Sequence, residues 1–297
     1  MGRLADAVKP AVPRRVRASI VRSRLRTRQR LPGGRALPGV LVIGAQRCGT
    51  SSLYKYLGRH PAVLAPLRKE TEYLSRFHVQ GIEWYRAQFP TQARLDWVSW
   101  RRRCQALTFE ATPDYLWHPL AAERAAQLLP GARIVVLLRD PVERALSHHQ
   151  HMTRLGFETL PFEAALDAEE GRLAGERERI LADGAYPGRS YLRFSYASRG
   201  RYLEQLLAWT DRYPSERLLV LRSEDLYADP AATWVQLVEF LGLPPWDLRR
   251  FRNHSRSPGP SPPMAAGTRR RLEAYFAPHN ERLSAHLGRD FAWAGPG

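Results

Sequence analysis

Cysteine is almost missing from this 297-residue chain: Cys48 and Cys104 stand alone, and neither sits in a CxxC or Cys/His pattern. That excludes a disulfide-rich secreted scaffold and a structural zinc module. Long apolar runs are missing as well. No stretch approaches the roughly 20 residues of a membrane span, and the first residues lack the apolar centre of a signal peptide. The expectation is a soluble, cytoplasmic protein. Lysine is the third scarcity: Lys9, Lys55 and Lys69 are the only three among 46 Lys and Arg, which leaves 43 arginines. Such a skew reads as codon usage in a GC-rich, bacterial genome rather than as one function. No internal repeat is visible, so a solenoid or propeller is excluded.

What is present points to a single large domain. Hydrophobic residues make up 44% and aromatics 10%, enough to bury a core without staples. The net charge of +17 is uneven: residues 1–39 hold ten arginines and Lys9 against Asp6 alone. That is +10 in the first 39 residues, so the remainder carries +7, an ordinary basic domain suited to an anionic ligand. Residues 1–38 are Pro/Gly-punctuated around VRASIVRSRLRTRQR, where Val16, Ile20, Val21 and Leu25 could form a thin apolar stripe. The favoured reading is a mobile, solvated basic tail. The other is peripheral contact with an anionic membrane, at the inner surface if the chain is cytoplasmic. Nucleic acid is not expected as a partner, because arginine is abundant everywhere rather than striped on one face and no binding motif stands out.

From residue 39 the pattern becomes an alternation of strands and helices. VLVIG ending at Gly44, LTFEA (107–111), RIVVLLR (133–139) and RLLVLRSEDL (217–226) read as buried strands. SSLYKYLGRH, PLAAERAAQLL, PVERALSHHQHM, RGRYLEQLLAWTDRY, PAATWVQLVEFLGL and RRRLEAYFAPHNERLSAHL read as helices, and SPGPSPP (257–263) as a loop. The alternation implies an α/β domain over 39–297, three layers around a mainly parallel sheet.

Two segments carry chemistry. Gly44-Ala-Gln-Arg-Cys-Gly-Thr-Ser-Ser52 lies between a strand and a helix in a GxxxxGTS frame, like a Walker phosphate loop without its lysine. Backbone amides and a helix N-terminus there can hold a phosphate, helped by the hydroxyls of Thr50, Ser51 and Ser52. The missing lysine, with Arg47 inside the loop instead, argues against ATP or GTP hydrolysis. The second segment, RIVVLLRDPVERALSHHQHM, puts Arg139 at the carboxyl end of a buried strand and Ser147 in the next helix. Ligands of open parallel sheets bind at that end, and an arginine there suits bidentate phosphate contact. Taken singly, each has a bland alternative, a glycine turn for the loop and an ion pair with Asp140 or Glu143 for Arg139.

Together the two segments resemble the paired nucleotide signatures of sulfotransferases that use 3′-phosphoadenosine 5′-phosphosulfate (PAPS), in particular bacterial members similar to the heparan-sulfate N-sulfotransferase and 3-O-sulfotransferase domains. The resemblance covers most of 39–293 and includes KETEYL, GRYLEQLLAW, RLLVLRSEDL and YFAPHNERLSAHLGRDFAW. It implies a P-loop-like fold, PAPS as donor and no metal. It implies a 5′-phosphosulfate loop made of Arg47, Cys48, Gly49, Thr50, Ser51 and Ser52, and a 3′-phosphate site made of Arg139 and Ser147. Arg47 stands where the family usually has lysine. Spacing alone reads RKETEYL (68–74) as a solvated charged loop; the resemblance instead makes Glu70 the general base, with Lys69, Glu72 and Glu110 toward the acceptor and Glu110 holding Arg47 or Lys69. Arg252 and Arg256 fall where relatives place a basic loop over the nucleotide. His148, His149 and His151 follow Ser147 without a carboxylate or cysteine to complete a metal set, and His118 reads as a plain loop residue. The acceptor class implied is a carbohydrate, glycolipid or natural product. Two other readings stay open: a P-loop kinase or NTPase, and a non-catalytic binder of anionic ligands.

Overall fold

Five short strands form one sheet in the computed structural model, which describes residues 14–30, 34–254 and 264–293. They are β1 Val40–Gly44, β2 Val63–Leu64, β3 Leu107–Ala111, β4 Arg133–Leu138 and β5 Leu218–Arg222. Their order is β2-β3-β1-β4-β5, and every pair is parallel, with Val40 opposite both Phe109 and Arg133. β1 and β4 are buried almost end to end, which is why they read as unbroken apolar runs rather than alternating ones.

The helices are α1 Arg14–Arg30, α2 Thr50–Leu57, α3 Ile82–Arg86, α4 Gln92–Arg102, α5 Ala121–Leu128 and α6 Pro141–Arg154, then α7 Phe162–Asp167, α8 Glu169–Leu173, α9 Glu176–Ala182 and α10 Arg189–Arg193. α11 Tyr202–Thr210, α12 Ser223–Ala228, α13 Pro230–Phe240 and α14 Ala266–Leu287 complete the set. The main core joins the strands to the inner faces of α2, α5, α11 and α13. A second core packs Val142 and Ala145 of α6 against Phe162, Leu272 and Phe276. Gly200 makes that packing possible, since a Cβ there would lie 2.5 Å from the Phe276 ring.

The chain goes from β1 outward to β2 and β3 on one side, and to β4 and β5 on the other. The order therefore reverses at β1, and the crevice outside its carboxyl end is where an open parallel sheet binds ligands.

Two readings need revision. SEDL is not strand: Ser223 begins α12, because acids at Glu224 and Asp225 suit a first helical turn. The segment assigned to a loose tail holds α1, whose Leu25 is buried, while Arg28 donates to the Ala87 carbonyl at 3.4 Å. Ala36 is also buried, among Leu95, Val98 and Ala106. The SPGPSPP loop lies outside the described residues.

Candidate active site

β1 ends at Gly44 and the chain curls before α2, with the Ala45 amide donating to the Leu137 carbonyl and the Cys48 amide to Ala45. Gly49 sits at the N-cap with φ 98°, and a Cβ there would meet the Tyr227 hydroxyl at 2.9 Å. Only glycine fits on both counts. The first amides of α2 have no acceptor within their own helix, so this end is an anion cradle by construction. Arg47, itself at φ 72°, reaches across and donates from Nε to Ser147 Oγ of α6 at 3.0 Å. The two sequence segments, 100 residues apart, thus meet in one place.

Arg47 lines a cleft of about 360 Å³, whose lining includes neither Ser147 nor Arg139. One wall is Gln46, Arg47, Gly49, Thr50 and Ser51; the opposite wall carries Lys69, Glu70, Pro113 and Asp114; His151, Arg154 and His254 close it. Burial, then Arg154 and Arg139, pull the Arg47 guanidinium below its ordinary value. His151 feels the same field. Burial, Arg47 and Arg154 lower its imidazole to about 4, and Arg154 Nη2 lies 2.8 Å from its Nδ1. Arg139 lies beside Glu143 at 3.7 Å, one-third exposed, at the end of β4.

Glu70 projects from the 68–74 segment into the cleft and pairs with Lys69 Nζ. Glu70 and Glu72 both hold left-handed backbone, at φ 59° and 57°. Between them Thr71 is fully buried and anchors the segment on Glu110. Glu72 turns to Arg76 at 3.0 Å; burial raises its carboxyl despite that cation.

Several expected site residues stand elsewhere. Glu110 touches neither Arg47 nor Lys69 nor an open surface. It is 1% exposed and accepts from Thr71, Tyr85, Tyr115 (2.6 Å) and Thr112 (2.9 Å), because β3 ends inside a nest of hydroxyls. The Cys48 side chain faces the core, where burial pushes its thiol up to about 11. Ser52 is buried as well and accepts from the His254 amide at 2.9 Å. The carbonyl of Arg252 accepts from the Tyr56 hydroxyl at 3.0 Å, while its side chain is exposed and does not line the cleft. Arg256 lies outside the described residues. The three histidines diverge: His148 is buried against Tyr196, His149 meets the Leu160 carbonyl at 2.9 Å, and His151 lines the cleft. His118 is buried, held to about 3 by that burial, with Nδ1 accepting from the Leu120 amide. Among the described residues no three His, Cys, Asp or Glu side chains gather as a metal set.

Sequence reasoning missed Gln46, Asp114, Arg154, His254 and the buried Arg199. Arg199 donates from Nη1 to Asp114 Oδ1 at 2.7 Å and to Gln46 Oε1 at 3.2 Å, so it holds both against the cleft from behind. One signal was available. Ser147, His151 and Arg154 follow i, i+4, i+7 spacing, which puts all three on one face of α6.

An α/β fold that lines one cleft with a phosphate-type loop, the cations Arg47 and Arg154 and the Glu70 carboxylate, with Arg139 near Arg47 but outside that lining, has the layout of a group-transfer site for a phosphorylated donor. The profile of the "Sulfotransferase family" matches residues 38–247, and the chain belongs to that family. It is 28% identical to the membrane-associated sulfotransferase kil1 of Dictyostelium discoideum, over 86% of this chain and 66% of that protein. It is also 28% identical to human heparan sulfate glucosamine 3-O-sulfotransferase 6, over 88% of this chain and 75% of the relative. The chain spans only 30% of several bifunctional heparan sulfate N-deacetylase/N-sulfotransferases. A crystal structure of a sulfotransferase from Alicyclobacillus acidocaldarius superimposes with a TM-score of 0.60 at 29% identity, covering 87% of this chain and 99% of that one. Among the described residues, no helix is long and apolar enough to cross a membrane.

Proposed function

We propose that this chain transfers a sulfuryl group from PAPS to a hydroxyl or amine of a carbohydrate-like or small-molecule acceptor, by in-line displacement. The observation that carries the reading is the Arg47–Ser147 bond, which joins the loop to α6 with Glu70 across the same cleft. The acceptor oxygen or nitrogen attacks sulfur and its proton goes to the Glu70 carboxylate. The bridging S–O bond breaks, and its electron pair leaves on the 5′-phosphate of the product nucleotide. Arg47 and the amides of Gly49 to Ser51 face that growing charge, an arrangement fixed before reaction. Arg139 and Ser147 hold the 3′-phosphate. Lys69, paired with Glu70, orients its carboxylate toward the acceptor, while Glu72 turns to Arg76 and does not line the cleft. The relatives' names favour a carbohydrate acceptor, and the basic residues 1–38 favour peripheral contact of a cytoplasmic protein with an anionic membrane. The loop's lack of a Walker lysine speaks against the kinase reading.

The test is turnover with PAPS and pooled acceptors, read as a mass gain of one sulfuryl group. Glu70→Gln keeps size and hydrogen-bonding capacity but removes the base, so turnover should fall about 10²–10⁴-fold with donor affinity nearly unchanged. Turnover close to wild type would place the base elsewhere.

A further inference from the structure

The most exposed tryptophans of the chain lie away from the cleft. Trp97 and Trp100 on α4 are 55% and 77% exposed, whereas Leu95 and Val98 of the same helix are buried against Ala36 and Ala106. Arg94, Trp97, Trp100 and Arg101 fall at i, i+3, i+6 and i+7, one outer stripe of the helix. The Arg101 guanidinium stands 5.6 Å from the Trp97 ring centroid. Arg102 in the last turn and Arg103 just after it, both exposed, extend the charge.

α1 adds to this face. Beyond it, the chain from Gly34 is tied to the start of α4, since the Gln92 amide donates to Gly34 and the Ala36 amide to Pro90. Arg28 is crowded by Arg35, Arg24 and Arg94, which with burial lower its guanidinium. Arg22, Arg24, Arg26 and Arg30 are exposed, as are Val16 and Ile20 at 46% and 44%. Against these cations stand Asp96, bonded to Gln92, and Glu83, beside Arg86.

We infer that the outer face of α4, with Trp97 and Trp100 flanked by the arginines of α4 and α1, docks on an anionic phospholipid bilayer. Indoles seat at the headgroup level, and arginines meet lipid phosphates while their stems cover apolar surface. The charge decides among occupants. A second copy would bring one arginine-rich face against another, and like charges repel. Single-stranded nucleic acid also stacks on aromatics, but in grooves, whereas these indoles stand on the outside of a helix. α4 leads into the amino end of β3, and the cleft opens at the carboxyl ends of the strands, so a docked chain keeps its cleft in water. The inference shares its partner with the reading of residues 1–38 as a membrane contact, but it rests on a folded face.

The experiment is flotation of the full chain with vesicles of phosphatidylcholine alone and of equimolar phosphatidylcholine and phosphatidylglycerol. Binding to the anionic vesicles only is expected, and Trp97→Ser/Trp100→Ser should lower partition at least about tenfold while turnover of a soluble acceptor stays within about twofold. In the wild type, brominated acyl chains should quench indole emission, and the double variant should lose that quenching. Equal partition of variant and wild type, or no quenching, overturns the proposal. So does loss of binding on deleting residues 1–13 while the double variant still binds, a result that leaves the tail reading standing. Binding of an oligonucleotide that depends on both tryptophans, without binding to vesicles, overturns it too.

Discussion

Glu110 offers a test of how the catalytic segment is held. Its two oxygens take four hydroxyl donors: Thr71, Thr112 and Tyr115 on Oε1, and Tyr85 on Oε2. All four donors are buried. In Glu110→Ala two of them can satisfy each other, since Thr71 Oγ1 and Tyr115 OH already lie 3.2 Å apart. About three donors then lose their acceptor, and a stranded buried hydroxyl costs roughly 1–3 kcal/mol, so the loss should be about 3–9 kcal/mol. Glu110→Gln is milder. The amide carbonyl can keep the three bonds gathered on Oε1, while its NH₂ faces the Tyr85 hydroxyl, which must turn and accept. A cost of about 1–2 kcal/mol follows.

Thermal unfolding by circular dichroism reads both, at about 2–4 °C per kcal/mol for a chain near this size. The alanine variant should also lose turnover well below its melting temperature, because Thr71 anchors Glu70 and Glu72 in left-handed backbone; donor affinity should hold. Burial raises the Glu110 carboxyl above its ordinary value, in spite of the hydroxyls that lower it. The folded state therefore binds its proton more tightly than the unfolded state does, so stability falls as pH rises from the ordinary glutamate value through the raised one. Glu110→Gln should flatten that fall. Equal melting temperatures for wild type and Glu110→Ala, or equal losses in the two variants, would refute the reasoning.

Two further outcomes concern the donor. Arg139→Ala should weaken binding of the 3′-phosphorylated nucleotide by roughly 2–4 kcal/mol and barely affect an analogue without that phosphate, measured by titration calorimetry; equal losses would make Arg139 structural. Donor binding should also take up a proton through His151, held at about 4 in the empty cleft against an ordinary 6.5. An arriving anion offsets Arg47 and Arg154 and raises that value, so uptake should appear between those limits and vanish in His151→Ala. Calorimetry at pH about 5.5 in buffers of different ionisation heat checks it, and identical heats would refute it.

The sheet was legible because buried parallel strands leave continuous apolar runs, and LTFEA matches β3 residue for residue. β2 was not legible: Val63–Leu64 is a two-residue edge strand, too short for any period. α7 to α10 also escaped notice, each seven residues or fewer, so that none completes a reliable apolar stripe. At the site, motif segments were visible and packing partners were not. Nothing in FEATPDY tells that Glu110 turns inward while Asp114 turns to the cleft; that depends on Tyr85 and Arg199, which are distant in sequence. Cys48 misled for a related reason, as a residue inside a phosphate loop can offer its side chain to the core.

The arginine at position 47 is the departure from family habit that the structure makes intelligible. A lysine there would bring one nitrogen on a flexible stem, able to meet a phosphate or a serine but not fixed in direction toward both. Arginine separates the tasks. Its Nε lies along the stem and is bonded to Ser147, which fixes the plane of the guanidinium. The loop expected at the 5′ end of the donor and the helix expected at its 3′ end are thus joined through Arg47 before a nucleotide arrives. Part of the ordering cost of binding falls on folding instead, and an anionic donor would offset the charges of Arg154 and Arg139 near Arg47.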